Sequence, residues 1–306
     1  MRLFATYVLC AVVAAAVVAA GPAQQQAPAQ PPVFRSTVAT VSVWATVRDS
    51  QGRFVPNLTK DDFDLRVGGK PTEIAVFSND EQPITVCLLI DMSGSVVRRF
   101  LRMRDGAIHF VRALKDADRA RIGSFGAEIA ISPVLTGDRA LLEQILREEL
   151  WPSGYTPLWS AMGAALESLR GEPGRRVLLT MTDGYNTPLS FPGYPSTSAQ
   201  VREMLRDPGL VVYAVGIKDM LISTPSQGAL DAELIEMVVA SGGASFELTN
   251  DADLEETFTR VAEELRSQYL IGFVPDPAAG KSLGISIRAR GYSVRSRSSA
   301  DLEIRR

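Results

Sequence analysis

Residues 84–268 alternate between short apolar runs and longer segments with helical periodicity, and this alternation constrains the fold more than any other feature of the chain. The apolar runs are rich in Val, Ile and Leu and lie at 84–90, 121–125, 177–181 and 210–217. Continuous runs of this kind are typical of strands that are buried on both faces of a mainly parallel sheet. Their alternation with helices predicts a doubly wound α/β domain, which we place at residues 82–268.

The segments between these runs repeat apolar residues at helical spacing. In the first segment, Phe100, Met103, Ala107 and Val111 would share one face of a helix. The rest of this helix is basic, and we interpret its arginines as a solvated face that covers the core, with an anion-binding face as the alternative. These arginines are Arg98, Arg99, Arg102, Arg104 and Arg112.

The two flanks of this domain read as short strands and turns. Residues 34–80 contain alternating Val- and Thr-rich stretches separated by turn signals, and residues 269–306 resume the same pattern. Each flank has too few strands to form a stable sheet alone. We therefore predict that the flanks pair into a small β-sandwich into which the α/β domain is inserted.

The first twenty residues are typical of a secretory signal peptide. Arg2 gives a positive start, and the run from Leu3 to Ala20 is almost entirely apolar. An uncleaved membrane anchor is the alternative, because about 18 apolar residues approach the length that spans a bilayer. We expect a signal peptide at 1–20, a disordered Pro/Gln/Ala-rich spacer at 21–33, and an exported protein without a membrane span after cleavage. Its location would be periplasmic, cell-surface or secreted.

Charge and cysteine content argue against several functions. The chain has 32 Lys and Arg against 35 Asp and Glu, so its formal net charge is −3. General attraction to nucleic acid requires a strong excess of positive charge, and we expect no nucleic-acid partner. Of the two cysteines, Cys10 lies in the signal segment and Cys87 in the first buried run. We expect Cys87 to be a small core residue, because a single thiol in a buried strand has no disulfide partner.

Five oxygen-bearing side chains define the candidate site. Asp91, Ser93 and Ser95 follow the first buried strand, and Asp183 ends a later one. Thr156 precedes a helix whose first turn begins with a proline, a position that proline favours. In an open α/β sheet, ligands bind beyond the carboxyl ends of the strands. Carboxylate and hydroxyl oxygens are hard donors, which suit Mg²⁺ and not a metal that seeks thiolates.

With these residues in this order, the chain resembles the type A domain of von Willebrand factor and its metal-ion-dependent adhesion site. The family pattern is Asp-x-Ser-x-Ser, a distant Thr, and an Asp in a strand-ending Thr-Asp-Gly. The chain supplies Asp91-Met92-Ser93-Gly94-Ser95, then Thr156, then Thr182-Asp183-Gly184. The resemblance covers residues 82–268, and both flanks are similar to a bacterial exported subgroup of the family.

The resemblance implies how the site would work. Ser93, Ser95 and Thr156 would bind the cation directly or through water, and Asp91 and Asp183 would act largely by charge and through bridging waters. One coordination position would stay open for an Asp or Glu of a partner protein. We expect Mg²⁺, with Mn²⁺ or Ca²⁺ as alternatives, because Mg²⁺ takes oxygen ligands and keeps exchangeable waters.

The expected function is that of an exported, metal-ion-dependent binding or adhesion module. One alternative is a structural component of the cell envelope in which the ion is incidental. A metal-dependent phosphoester hydrolase is the other alternative, but no Lys, His or acid pair is positioned by sequence to activate water. We therefore expect a protein that is not an enzyme.

Two simpler interpretations apply to individual residues. Asp91 would be a turn residue that caps the following helix if the other site residues did not meet it, because Asp and Ser are natural helix caps. The aromatic residues Trp151, Tyr155 and Trp159 flank the Thr156 loop, and Tyr185 follows Asp183. We predict that they rim the partner-binding surface, since aromatics are enriched at interfaces, with burial of at least one of them in the core as the alternative.

Overall fold

A computed structural model of the chain describes residues 40–148, 150–182, 186–187, 194–195, 197–217, 230–248, 254–276 and 282–301. The strands within these residues are β1 (Val41–Arg48), β2 (Phe63–Val67), β3 (Lys70–Pro71), β4 (Val76–Ser78), β5 (Ile84–Asp91), β6 (Arg119–Phe125), β7 (Ile129–Ile131), β8 (Arg175–Thr182), β9 (Leu210–Ile217), β10 (Ser245–Leu248), β11 (Gln268–Phe273), β12 (Ser282–Ala289), β13 (Ser293–Ser296) and β14 (Ser299–Asp301). The helices are α1 (Phe100–Ala113), α2 (Arg139–Glu148), α3 (Leu158–Leu169), α4 (Ser198–Met204), α5 (Ala232–Ser241) and α6 (Leu254–Arg266).

The central sheet has the strand order β10-β9-β8-β5-β6-β7. The first five strands in this order are parallel to one another, and β7 at the edge is antiparallel to β6. Residues of α1, α2 and α6 pack on one face of the sheet, and residues of α3, α4 and α5 pack on the other. Every residue of β5 is buried, because the strand has a neighbour on each side and helices over both faces. The predicted doubly wound α/β domain is confirmed.

The flanking strands form two antiparallel sheets with a core of their own. Their orders are β13-β1-β11-β4 and β14-β12-β2-β3, so each sheet mixes strands from before and after the α/β domain. Buried side chains of both sheets share one cluster, with Val43, Tyr269 and Phe273 from the first and Leu65 and Ile285 from the second. Burial in β12 alternates strictly between exposed and buried residues, as expected for one face packed on a core. The predicted β-sandwich with an inserted α/β domain is confirmed.

A buried carboxylate joins the α/β domain to the sandwich. Glu264, near the end of α6, has a fully buried side chain that accepts hydrogen bonds from the Tyr213 hydroxyl at 2.7 Å and from Arg48 Nη2 at 2.9 Å. Arg295 of β13 also pairs with this carboxylate. Glu264 and Tyr213 belong to the α/β domain and the two arginines to the sandwich, so this ion-pair cluster fixes one part against the other.

A buried arginine also lies at this interface. Arg175, the first residue of β8, is 1% exposed, and its guanidinium lies 4.8 Å from the centroid of the Trp44 ring in β1. Its Nη1 donates to the carbonyl of Leu265 in α6. Burial lowers the pKa of Arg175 to about 10, so the group stays protonated at neutral pH. An aromatic face over a desolvated guanidinium is a favourable cation–π arrangement.

Cys87 lies in the middle of the central strand β5. Its side chain is fully buried and its thiol is free. Burial raises the pKa of this thiol to about 12, which makes it a core residue without thiolate character at neutral pH. The predicted signal peptide at 1–20 and spacer at 21–33 lie outside the described residues. Among the residues that are described, no helix has the length and apolar character needed to cross a bilayer.

Candidate metal site

The candidate site lies at the carboxyl edge of the sheet, where the strand order reverses. The chain leaves β5 for β6 on one side, and β8 then pairs with β5 on the other side. Asp91 is the last residue of β5 and Thr182 the last of β8, so both project from the same edge. This is the position at which open α/β sheets bind their ligands.

Asp91 is a completely buried carboxylate held by neutral donors. Its Oδ1 accepts the backbone N–H of Ser93 at 2.8 Å, and its Oδ2 accepts the Thr182 hydroxyl at 2.7 Å. Both contacts fix the orientation of the carboxylate. Buried charges in proteins are normally paired with an opposite charge or with a metal ion.

Two hydroxyls lie together on the turn that follows Asp91. Ser93 is 1% exposed, whereas Ser95 is an exposed residue of the 3-10 turn Gly94–Val96. Their Oγ atoms are hydrogen-bonded to each other at 2.9 Å. Two oxygens bound at right angles to one Mg²⁺, each at about 2.0–2.1 Å, would be separated by about 2.9 Å. The donor chemistry and this spacing therefore fit a hard divalent cation.

Backbone hydrogen bonds bring the loop of Thr156 to the same turn. The N–H of Gly94 donates to the carbonyl of Gly154 at 3.0 Å, and the N–H of Ser153 donates to the carbonyl of Met92 at 2.6 Å. Thr156 is 7% exposed and lies two residues after Gly154. The sequence separates this loop widely from Asp91, and the fold places the two segments in direct contact.

Two glycines that the sequence analysis did not single out permit this contact. Gly154 has φ of 85°, and a Cβ at this position would lie 2.4 Å from the backbone nitrogen of Ala127. A Cβ on Gly126 would lie 2.4 Å from the carbonyl oxygen of Ser153. Only glycine fits both positions, since the clashing atoms belong to the backbone. In the sequence, only Gly154 could have been suspected, because it lies two residues before the predicted ligand Thr156.

The segment after β8 also contacts the Thr156 loop. The N–H of Thr187 donates to the carbonyl of Thr156 at 2.8 Å, and the Thr156 N–H donates to the Thr187 hydroxyl at 3.4 Å. The chain from β8 thus returns to the loop that carries the third predicted hydroxyl. Asp183 and Tyr185, in the connection between Thr182 and this contact, lie outside the described residues.

The structure separates Tyr155 from Trp159 among the aromatic residues of the predicted rim. Tyr155 is 64% exposed on the loop beside Thr156. Trp159 is 5% exposed and packs in the apolar cluster between the sheet and α3. For Trp159 this burial matches the alternative that the sequence analysis left open, because its position in the first turn of α3 directs it into the core. The sequence analysis assigned no role in the site to Thr182, but its hydroxyl donates a hydrogen bond to Asp91.

Fold and site together define an α/β domain with a hydroxyl-rich cluster around a buried aspartate at its carboxyl edge. The sequence profile of the von Willebrand factor type A domain matches residues 85–260. The chain belongs to this family.

Solved structures with a similar fold include several bacterial proteins. A von Willebrand factor type A protein from Catenulispora acidiphila aligns with a TM-score of 0.51 and 13% identity, covering 87% of this chain and 75% of that one. The vWF domain of the type V pili tip protein Mfa5 from Porphyromonas gingivalis has a TM-score of 0.47 and 13% identity over 60% of this chain and 95% of that one. BatB from Bacteroides thetaiotaomicron aligns with a TM-score of 0.47 and 15% identity, covering 60% of this chain and 98% of that one. No curated protein matches the sequence.

Proposed function

We propose that this protein is a metal-ion-dependent binding module that holds one divalent cation, Mg²⁺ by preference, and uses it to capture an acidic residue of a partner protein. The observation that carries the proposal is the pair of serine hydroxyls, 2.9 Å apart, beside a fully buried aspartate. This arrangement supports cation binding because it places hard oxygen donors beside a buried carboxylate.

Each residue has a separate task in this proposal. Ser93 and Ser95 supply the paired oxygens, and Thr156 supplies a third from the adjoining loop. Asp91 contributes charge and anchors the turn through the N–H of Ser93. Asp183 completes the set on the strength of the sequence pattern. A bound cation would supply positive charge and a replaceable water position, which favours an incoming carboxylate.

The proposal places the protein outside the cytoplasm and makes it a binder, not an enzyme. The N-terminal sequence supports export through its positive start and apolar run. For catalysis, a metal site needs a group positioned to activate water or a nucleophile. The described surroundings of Asp91 supply hydroxyls and backbone N–H groups in place of such a group.

The test is capture of partners from the envelope or surface fraction of the source cells. Wild-type protein with Mg²⁺ should retain a partner that is lost with EDTA and with Asp91→Ala, while the far-ultraviolet circular dichroism of the variant stays native. Capture that is equally strong with EDTA would favour a structural envelope component with an incidental ion. Turnover of a generic phosphoester, lost in Asp91→Ala, would favour a hydrolase.

A further inference from the structure

The large apolar side chains that are most exposed among the described residues are concentrated around the candidate metal site. They are Trp151 at 77%, Tyr155 at 64%, Leu101 at 58% and Val97 at 54% exposure. Single exposed apolar residues are normal on protein surfaces, but a group of them marks an interaction surface. Here all four lie on the two segments that meet beside Ser93 and Ser95.

The first pair lies on the segment that follows the serine turn. Val97 has helical backbone angles, with φ of −47° and ψ of −44°, and α1 begins three residues later at Phe100. Val97 lies in the turn that precedes α1, and Leu101 lies in the first turn of that helix. Both side chains are exposed.

The second pair lies on the loop that contacts this turn. Trp151 and Tyr155 bracket Ser153 and Gly154, the two residues whose backbone groups bond Met92 and Gly94. These bonds hold the aromatic loop against the turn that leads into Val97 and Leu101. We name the surface formed by Trp151, Tyr155, Val97 and Leu101 the apolar rim.

Positive charge accompanies the apolar rim. The segment 92–105 contains four arginines and one acidic residue, Asp105, which pairs with Arg104. Arg98 lies between the two aliphatic residues of the rim and is exposed, and no acidic side chain of the described residues forms an ion pair with it. An occupant of this surface must therefore offer apolar side chains together with negative charge.

We infer that the apolar rim and Arg98 recognise an acidic peptide segment in which the captured Asp or Glu is flanked by large apolar residues. The inference rests on the proposed function, since the same carboxylate would approach the cation. The apolar residues of the segment pack on Trp151 and Leu101, and a second carboxylate pairs with Arg98. Buried aromatic and aliphatic contacts supply most of the affinity, because exposed charge pairs contribute little.

The experiment selects short random peptides displayed on phage against the purified full chain in Mg²⁺, and measures the affinity of the enriched peptides in solution. We expect peptides with Asp or Glu next to Leu, Ile, Phe or Trp. Trp151→Ala and Leu101→Ala should each weaken binding about tenfold or more, as for central interface residues. Arg98→Glu should weaken it about threefold to tenfold. Val239→Ala, which alters a 53% exposed residue on α5, is the matched control and should change it less than about twofold.

The outcomes separate this inference from the proposed function. Peptides that bind equally with EDTA, or to Asp91→Ala, overturn the proposed function and the inference together. Peptides that need Mg²⁺ but bind Trp151→Ala, Leu101→Ala and Arg98→Glu as well as wild type overturn the inference alone. So does selection that enriches no acidic–apolar sequence. Binding of the chain to vesicles of phosphatidylcholine and phosphatidylglycerol that is lost in Trp151→Ala would assign the rim to a membrane and also overturn it.

Discussion

The two ends of strand β8 carry two polar clusters with opposite charge balance. At the end where β8 begins, Arg48 and Arg295 pair with the buried carboxylate of Glu264, while Arg175 lies over the Trp44 ring and donates to the carbonyl of Leu265. At its last residue, Thr182 donates to the buried carboxylate of Asp91, which also accepts the backbone N–H of Ser93. The first cluster pairs a carboxylate with arginines, and the second brings an aspartate together with a hydroxyl and an N–H donor.

This difference indicates different tasks for the two ends. The sandwich supplies the two arginines that pair with Glu264, so the Glu264 cluster holds the two parts of the protein together. The Asp91 cluster lies beside the exposed Ser95, and its oxygen donors are of the kind that bind a hard cation. Removing one partner from a closed ionic cluster leaves uncompensated charge, whereas a cation site is expected to lose ligand affinity more than stability.

The largest effect should follow from Glu264→Gln. The variant leaves the arginines around it without a countercharge, and we expect the free energy of unfolding to fall by about 3 kcal/mol. Urea denaturation measures this loss, and Glu263→Gln at the adjacent exposed position should change stability by less than about 0.5 kcal/mol. The folded variant should retain wild-type Mg²⁺ affinity. An equal loss in both variants would mean that the Glu264 cluster does not hold the interface.

A smaller effect should distinguish two threonines on the same face of β8. Thr182→Val removes the donor to Asp91 Oδ2 and should destabilise the metal-free protein by about 1.5–3 kcal/mol, because hydrogen bonds to charged groups are strong. Thr180 is fully buried, and its hydroxyl has no hydrogen-bond partner among the described residues. Thr180→Val should therefore be neutral or stabilising. Denaturation of both variants with EDTA measures the contrast, and the reverse ranking would contradict the hydrogen-bond assignment.

The smallest effect concerns Cys87, in the strand that lies between the two clusters. Its thiol pKa is raised to about 12 in the folded protein and is about 8.5 in an unfolded chain. The neutral thiol therefore contributes stability that is complete below pH 8.5 and is lost as pH rises toward 12, by about 1.4 kcal/mol at pH 9.5. The slope of stability against pH from 8 to 10 should be flatter in Cys87→Ala. Identical slopes would show that the folded and unfolded thiols titrate alike.

The sequence was sufficient for the fold because its signals were local and repeated. The apolar runs predicted β5, β8 and β9 within a few residues, and the sparse strands at both flanks predicted the sandwich. It could not separate Tyr155 from Trp159, since exposure depends on how a loop meets a helix. Nor could it show that Glu264 pairs with Arg48 and Arg295, because these ion pairs join segments that are far apart along the chain.

The sequence predicted which oxygen-bearing side chains form the site, and the structure shows which contacts bring their segments together. The bonds from Gly94 to Gly154 and from Thr187 to Thr156 depend on tertiary packing, which no spacing rule contains. The cation itself, and the part that Asp183 takes in holding it, remain proposals that rest on the donor chemistry and the sequence pattern.

Calorimetric titration of Mg²⁺ into the full chain tests the central claim most directly. We predict one Mg²⁺ bound per chain, with the heat of binding abolished in Asp91→Asn and preserved in Glu264→Gln. Absence of Mg²⁺, Mn²⁺ and Ca²⁺ binding at millimolar concentrations, or binding that is unchanged in Asp91→Asn, would contradict a cation site at the end of β5.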